Sequence, residues 1–287
     1  MTHRARAGIA LLLFIQGLVG CGRSGSSSTP LAPSPAAPLP PQQSLSGYVG
    51  DTAFRSVASV TVEVVDGPQA GMSVTSDANG RFSYAATFAS PVTLRATKDG
   101  YITATTASRS NNSGGMYAYF QLEAVASPVN VAGNYTLTLI VDSACAGIPQ
   151  DLRTRTYAAT IVPRSNPTFP GTSFTLTAEG ASLLEGYKSF WVGVAGDSVG
   201  FVVYNGDSED AGLVEQVAPK TYLAFSGLAA ASVGQSGQAT ISTPLDGAVE
   251  YCLAKAEMGS VYACNPIQAV DHQLCESKNH RLMLARR

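Results

Sequence analysis

Apolar and polar residues alternate with a period of two over most of the chain beyond residue 45, the signature of half-buried β-strands. Val60, Val62 and Val64 alternate with Ser59, Thr61 and Glu63. Asp77-Ala78-Asn79-Gly80 then predicts a turn, because Asn and Gly tolerate positive φ, and Phe82, Tyr84 and Ala86 return from it. Val92, Leu94 and Ala96 form the next strand, followed by a Lys98-Asp99-Gly100 turn, a Thr-rich strand from Tyr101-Ile102 and a loop at 111–115. In the last strand Phe120 and Leu122 face one way and Tyr119, Gln121 and Glu123 the other. About seven short strands predict a small antiparallel β-sandwich over 45–126.

Pro128 ends that set, and a second one fills 129–287. Tyr135, Leu137, Leu139 and Val141 alternate with Asn134, Thr136, Thr138 and Ile140. Further strands are predicted at 154–162, 173–178, 190–194, 199–204, 222–228, 238–242, 248–252 and 281–284. About eight or nine turn-delimited strands predict an antiparallel β-barrel or sandwich. Trp191, inside the apolar Phe-Trp-Val-Gly-Val run, reads as core. Long helix-period patterns are absent, so the expected fold class is all-β.

The N-terminal 44 residues follow other rules. Arg4 and Arg6 precede an apolar run that ends at Leu18-Val19-Gly20-Cys21, which predicts a secretory signal peptide over 1–20. The run is too short to span a bilayer, and Gln16 interrupts it. Leu18-Val19-Gly20-Cys21 resembles a bacterial lipobox. The resemblance implies that Cys21 becomes the acylated first mature residue and ties the protein to a membrane. Gly22 follows it rather than Asp, which points to the outer membrane of the cell envelope. Residues 21–44 read as a tether, flexible around Ser24, Ser26, Ser27 and Ser28 and stiffer from Pro30 to Pro41.

Three further resemblances lie in the folded part. Gly47-Tyr48-Val49-Gly50-Asp51, residues 76–82 and residues 96–101 are similar to the first strand, central hairpin and strand end of carboxypeptidase regulatory-like domains. This implies a transthyretin-like (prealbumin-like) sandwich, an accessory fold without catalytic residues that is often grouped with carbohydrate-binding-like folds. The chain departs from that family at Thr52–Ser56, where the usual Gly-x-Pro hairpin is missing. Gly133-Asn134-Tyr135 resembles the opening of lipocalins, with Tyr in place of Trp, which implies a lipocalin-like barrel. The whole second segment also resembles an uncharacterised β-domain of bacterial lipoproteins.

Composition narrows the function. Charged residues make up 13 % and the formal net charge is −2, so removing the two positive charges of Arg4 and Arg6 leaves −4. The one basic pair is Arg286-Arg287, and nucleic acid is not an expected partner. Beyond Cys21 the cysteines are Cys145, Cys252, Cys264 and Cys275, an even set that favours disulfides after export. In a closed barrel the last strand runs beside the first and the penultimate, so all four thiols are expected near one rim, Cys145 pairing with the C-terminal segment.

Candidate chemistry is sparse. His272 and His280 are the histidines beyond the leader, and no zinc-protease pair or phosphate loop is present. Cys264, His272, Cys275 and His280 could hold zinc in principle. Their spacing fits no finger, and the expected reading is two disulfides and two surface histidines, with no metal and no cofactor. Asp207-Ser208-Glu209-Asp210 lacks a calcium-loop pattern and reads as a solvated turn. Tyr117 and Tyr119 share one strand face and could stack on sugar rings, although cross-strand pairing is the commoner use of such a pair. The expected function is a non-catalytic binding or adaptor lipoprotein for glycan, protein or a small apolar ligand. The alternative is an envelope hydrolase whose site lies in the C-terminal β domain.

Overall fold

The structure, a computed structural model, describes residues 42–111, 114–180, 182–203, 212–233, 239–258, 264 and 267–287. The leader, Cys21, the tether up to residue 41 and the acidic run at 207–210 lie outside these residues. The described chain is all-β, with one 3-10 turn at Gln150–Leu152.

The first half is a sandwich of two four-stranded sheets. Its strands are β1 (Gln43–Asp51), β2 (Thr61–Val64), β3 (Ser73–Thr75), β4 (Arg81–Phe88), β5 (Thr93–Thr97), β6 (Ala104–Ala107), β7 (Arg109–Ser110) and β8 (Met116–Leu122). One sheet has the order β4-β1-β8-β7 and the other β3-β2-β5-β6. Leu45, Val49, Phe82 and Phe120 from the first meet Val62, Val64, Leu94 and Ala96 from the second in one apolar core. The pattern predicts an antiparallel sandwich, yet β1 and β8 run parallel. Alternation reports which face a side chain takes and carries no information on strand direction. Tyr101 makes only an isolated bridge to Ala124 instead of opening the Thr-rich strand.

The second half is a closed barrel. Its strands are β9 (Gly133–Ile140), β10 (Thr154–Pro163), β11 (Ser173–Glu179), β12 (Leu183–Ala195), β13 (Ser198–Val203), β14 (Gly212–Ala218), β15 (Thr221–Ser232), β16 (Thr240–Ala254) and β17 (Ala269–Arg286). β9, β10, β11, β12, β13, β15, β16 and β17 pair in chain order, and β17 returns to β9. β14 continues the β13 position, bridging the lower halves of β12 and β15. Eight staves leave a bore that side chains can fill. Leu137, Ile161, Leu176, Phe190, Phe201, Phe225, Val249 and Leu282 belong to a single contiguous packed cluster drawn from all of the staves.

Three elements depart from the predicted strands. β14 is additional, β16 is one strand where two are predicted, and β17 begins at Ala269 rather than at 281. The polar run from Asp271 to His280 hides a strand because β9 pairs only with Arg281–Arg286. Before that point β17 runs on beside β16 alone, with less apolar core to cover. Trp191 is also not core: Phe190 and Val192 point inward, and Trp191 lies on the outer wall, 37 % exposed.

The sandwich docks on that outer wall through residues 51–55. Gly193 and Gly200 are cross-strand partners on β12 and β13. A Cβ at Gly193 would sit 2.1 Å from the Thr52 carbonyl oxygen, and one at Gly200 would sit 1.8 Å from that of Ala53. Only a glycine pair lets the loop approach this closely. Thr52 Oγ1 donates to the Val194 carbonyl at 2.6 Å, and Arg55 Nη1 to Ser198 Oγ at 2.6 Å. The buried Asp51 carboxylate holds the loop by accepting from the Ala53 and Arg55 amides and from the Arg55 guanidinium at 2.6 Å.

One barrel mouth is stoppered by the chain leaving β9. Val141, Cys145 and Ile148 join the barrel core there. Arg153 ties the turn together by donating to the Ile148 and Cys145 carbonyls. His280, expected at the surface, is fully buried beneath it. Its Nδ1 accepts from the Asp142 amide at 3.0 Å, so Nε2 carries the proton and faces the Cys275 carbonyl at 3.3 Å. Burial pushes the His280 pKa below its ordinary value, against opposing effects from the Cys275 carbonyl and Asp142. Below about pH 6.5 the unfolded chain takes up a proton that the folded one resists. Stability should therefore be full above that pH and fall as the pH drops towards the folded value. Thermal melts at pH 7.5 and 5.5 should show the decline, and His280→Gln should flatten it. An unchanged slope in the variant would rule out His280 as the cause.

Candidate functional site

The outer face of the β4-β1-β8 sheet carries the most distinctive surface chemistry of the described residues. β8 alternates Met116, Ala118, Phe120 and Leu122 into the core, which leaves Tyr117, Tyr119 and Gln121 pointing outward. The parallel register sets Tyr48 of β1 beside Tyr119 and Ser46 beside Tyr117. On the far side β4 places Arg81 beside Tyr48 and Ser83 beside Ser46. The Tyr48 and Tyr119 rings lie stacked, with centroids 5.9 Å apart and planes within 7°. Tyr117 is 43 % exposed and Tyr119 49 %. Tyr48 is held by its hydroxyl against Ser56 Oγ at 3.0 Å.

An open cleft of about 660 Å³ runs along this face, lined among others by Ser46, Tyr48, Asp77, Arg81, Ser83 and Tyr117. Flat aromatic surface beside hydroxyl, carboxylate and guanidinium groups suits a ring-shaped ligand with one apolar face and many hydroxyls. Spacing already singles out Tyr117 and Tyr119. Tyr48 and Arg81 could not be found that way, since only the strand order brings them to the same face.

The other candidate residues fall into structural roles. Cys145 is bonded to Cys275, and Cys252 to Cys264. Cys264, His272, Cys275 and His280 are therefore not brought together as a zinc set. Cys275 packs against the barrel core, while Cys252 and Cys264 belong to a small apolar cluster outside it. His272 Nε2 instead meets Glu250 Oε1 at 2.6 Å. Cys264 Sγ lies within 4.8 Å of both groups, but its disulfide removes the thiolate a metal would need.

Inside the barrel, Glu215 of β14 is 4 % exposed and meets Arg155 and Tyr157 of β10. Oε2 accepts from Arg155 Nε at 2.7 Å and from the Tyr157 hydroxyl at 2.8 Å. Oε1 accepts from Arg155 Nη2 at 2.5 Å and from Ser182 Oγ at 2.9 Å. Burial alone would raise the Glu215 pKa, but these donors more than offset it and hold the carboxyl below its ordinary range. Burial and the adjacent carboxylate drive the Tyr157 phenol far above its ordinary value. A carboxylate with both oxygens doubly occupied has little capacity left for a substrate, so this cluster reads as an internal brace.

In comparisons with known proteins, no family matches the chain and no curated protein matches it.

Proposed function

We propose that the protein is a lipid-anchored envelope lipoprotein whose folded part is a binding module, taking glycan on the tyrosine face of the sandwich. The lipobox resemblance at Leu18-Val19-Gly20-Cys21 and the Ser/Pro-rich tether support the anchoring, with two or three acyl chains on Cys21 because a single one would hold a membrane only marginally. The observation that carries the glycan reading is the stacked Tyr48–Tyr119 pair beside the exposed Tyr117, with Tyr48 and Tyr117 lining a cleft that has hydroxyl and charged walls. The barrel bore is occupied by the protein's own side chains, which directs a ligand to the outer surface.

Titration with cellohexaose and chitohexaose tests the site. Tyr119→Ala and Tyr117→Ala should each weaken binding by about two- to tenfold, the worth of one aromatic contact, and leave the melting temperature nearly unchanged. Equal affinity of both variants and the parent for each sugar, or no binding at all, would refute the glycan reading. Separately, Cys21→Ser should move the protein from the membrane to the soluble envelope fraction.

A further inference from the structure

A second cleft of about 310 Å³ opens where the sandwich meets the barrel. Gln121, the next outward residue of β8 after Tyr117 and Tyr119, lines it. Phe54 lines it from the docking loop, and Trp191, Arg164 and Asn166 from the barrel. The two clefts thus lie along one outward file of β8, whose four-residue span from Tyr117 to Gln121 covers about 13 Å. The file then passes onto β12, where Trp191 precedes the glycine keyhole at Gly193 by two residues on the same outer face.

The chemistry of the second cleft differs from that of the first. The tyrosine cleft carries Asp77 as well as Arg81, so its charges offset. Among the described residues no acidic side chain lines the Trp191 cleft, and Arg164 is its one charged group. The Arg164 guanidinium lies 5.3 Å from the centre of the Trp191 ring. Among the described residues it has no carboxylate partner and donates no side-chain hydrogen bond. Stacking on the ring orients the cation but leaves its N–H donors available for an anion. Phe54 is held there in the left-handed region at φ 61°, a conformation that costs a non-glycine residue energy and persists only where its surroundings enforce it. Here the enforcement is the docking of residues 51–55 against Gly193 and Gly200, so the contact that joins the two halves also builds the cleft.

We infer that the two clefts form one track for an anionic, carboxylate-bearing glycan chain, with neutral sugar surface on the tyrosines and a uronate-type carboxylate on Arg164 beside Trp191. This inference rests on the glycan reading of the tyrosine face and adds to it the class of polymer and a second contact site. Its partner is a chain rather than a single sugar, since one ring cannot reach from Tyr117 to Trp191.

Trp191 is the sole tryptophan of the chain, so its emission reports on the second cleft alone. The full chain would be titrated with hexagalacturonate, hexamannuronate, digalacturonate and neutral cellohexaose. At least one anionic hexamer should change Trp191 emission and bind about tenfold more tightly than cellohexaose, the effect of one charge-assisted contact. Arg164→Ala should abolish that difference without altering cellohexaose affinity, and digalacturonate should not show the full gain. The advantage should also shrink between about 50 mM and about 500 mM NaCl. If the hexamers bind no better than cellohexaose, or bind without an emission change or an effect of Arg164→Ala, the track is refuted while the tyrosine site stands. If none of the four sugars binds, the glycan reading falls and the track with it.

Discussion

Cys145→Ala should destabilise the barrel by about 2–5 kcal/mol, the usual cost of losing a native bridge in an exported domain. The Cys145–Cys275 bond spans 130 residues, so in the unfolded chain it closes a very long loop. In the folded chain it pins the stopper that leaves β9 to the part of β17 that β9 does not reach. Its loss therefore relaxes the unfolded state and frees the mouth together. For a domain of this size the melting temperature should drop by roughly 5–15 °C. Cys252→Ala should cost less, because Cys252–Cys264 closes a loop of only 12 residues. Peptide mapping of the denatured, unreduced protein should recover both pairs, and thiol titration should find none of the four cysteines free. Four reactive thiols, or a Cys145→Ala variant as stable as the parent, would overturn this account.

Glu215→Ala should cost about 3 kcal/mol, near the lower end of the range for breaking one partner of a buried ion pair. The lower end applies because the Arg155 side chain is 26 % exposed and can regain some water once its partner is gone. Tyr157, only 6 % exposed, loses its acceptor with less relief. Removing both charges should behave differently: Arg155→Met with Glu215→Leu should recover the part of the loss that comes from the unpaired Arg155 charge, while the Tyr157 hydroxyl still lacks its acceptor. The brace also has a pH signature. Its carboxyl is held below the ordinary range, so its contribution is present above about pH 4.5 and is lost as the pH falls through the folded value. Urea denaturation of Arg155→Met, Glu215→Leu and their double variant at neutral pH supplies the coupling energy. A coupling near zero would make Glu215 and Arg155 independent surface-like groups rather than a brace.

Much of the architecture is legible in the residues alone. Period-two alternation marks the strands that bury one face, and Val60 to Val64, Phe82 to Ala86 and Tyr135 to Val141 all declare themselves this way. The Asp-Ala-Asn-Gly turn and the outward file of Tyr117, Tyr119 and Gln121 follow from the same local rules. Alternation depends only on neighbours along the strand, which is why a sequence can display it.

Tertiary structure decided what depends on the other side of each contact. Trp191 sits in an apolar run that reads as core, but its outward pointing is set by the register that sends Phe190 inward. His280 is a polar residue near the C-terminus whose burial comes from a stopper more than a hundred residues earlier in the chain. Tyr48 joins the tyrosine face only because β1 pairs in parallel with β8. Gly193 and Gly200 give no local sign that another segment's carbonyl oxygens press against them. In each case the determining partner is distant in the chain. Local periodicity encodes which residues seek burial, while strand order and docking determine which residues they meet.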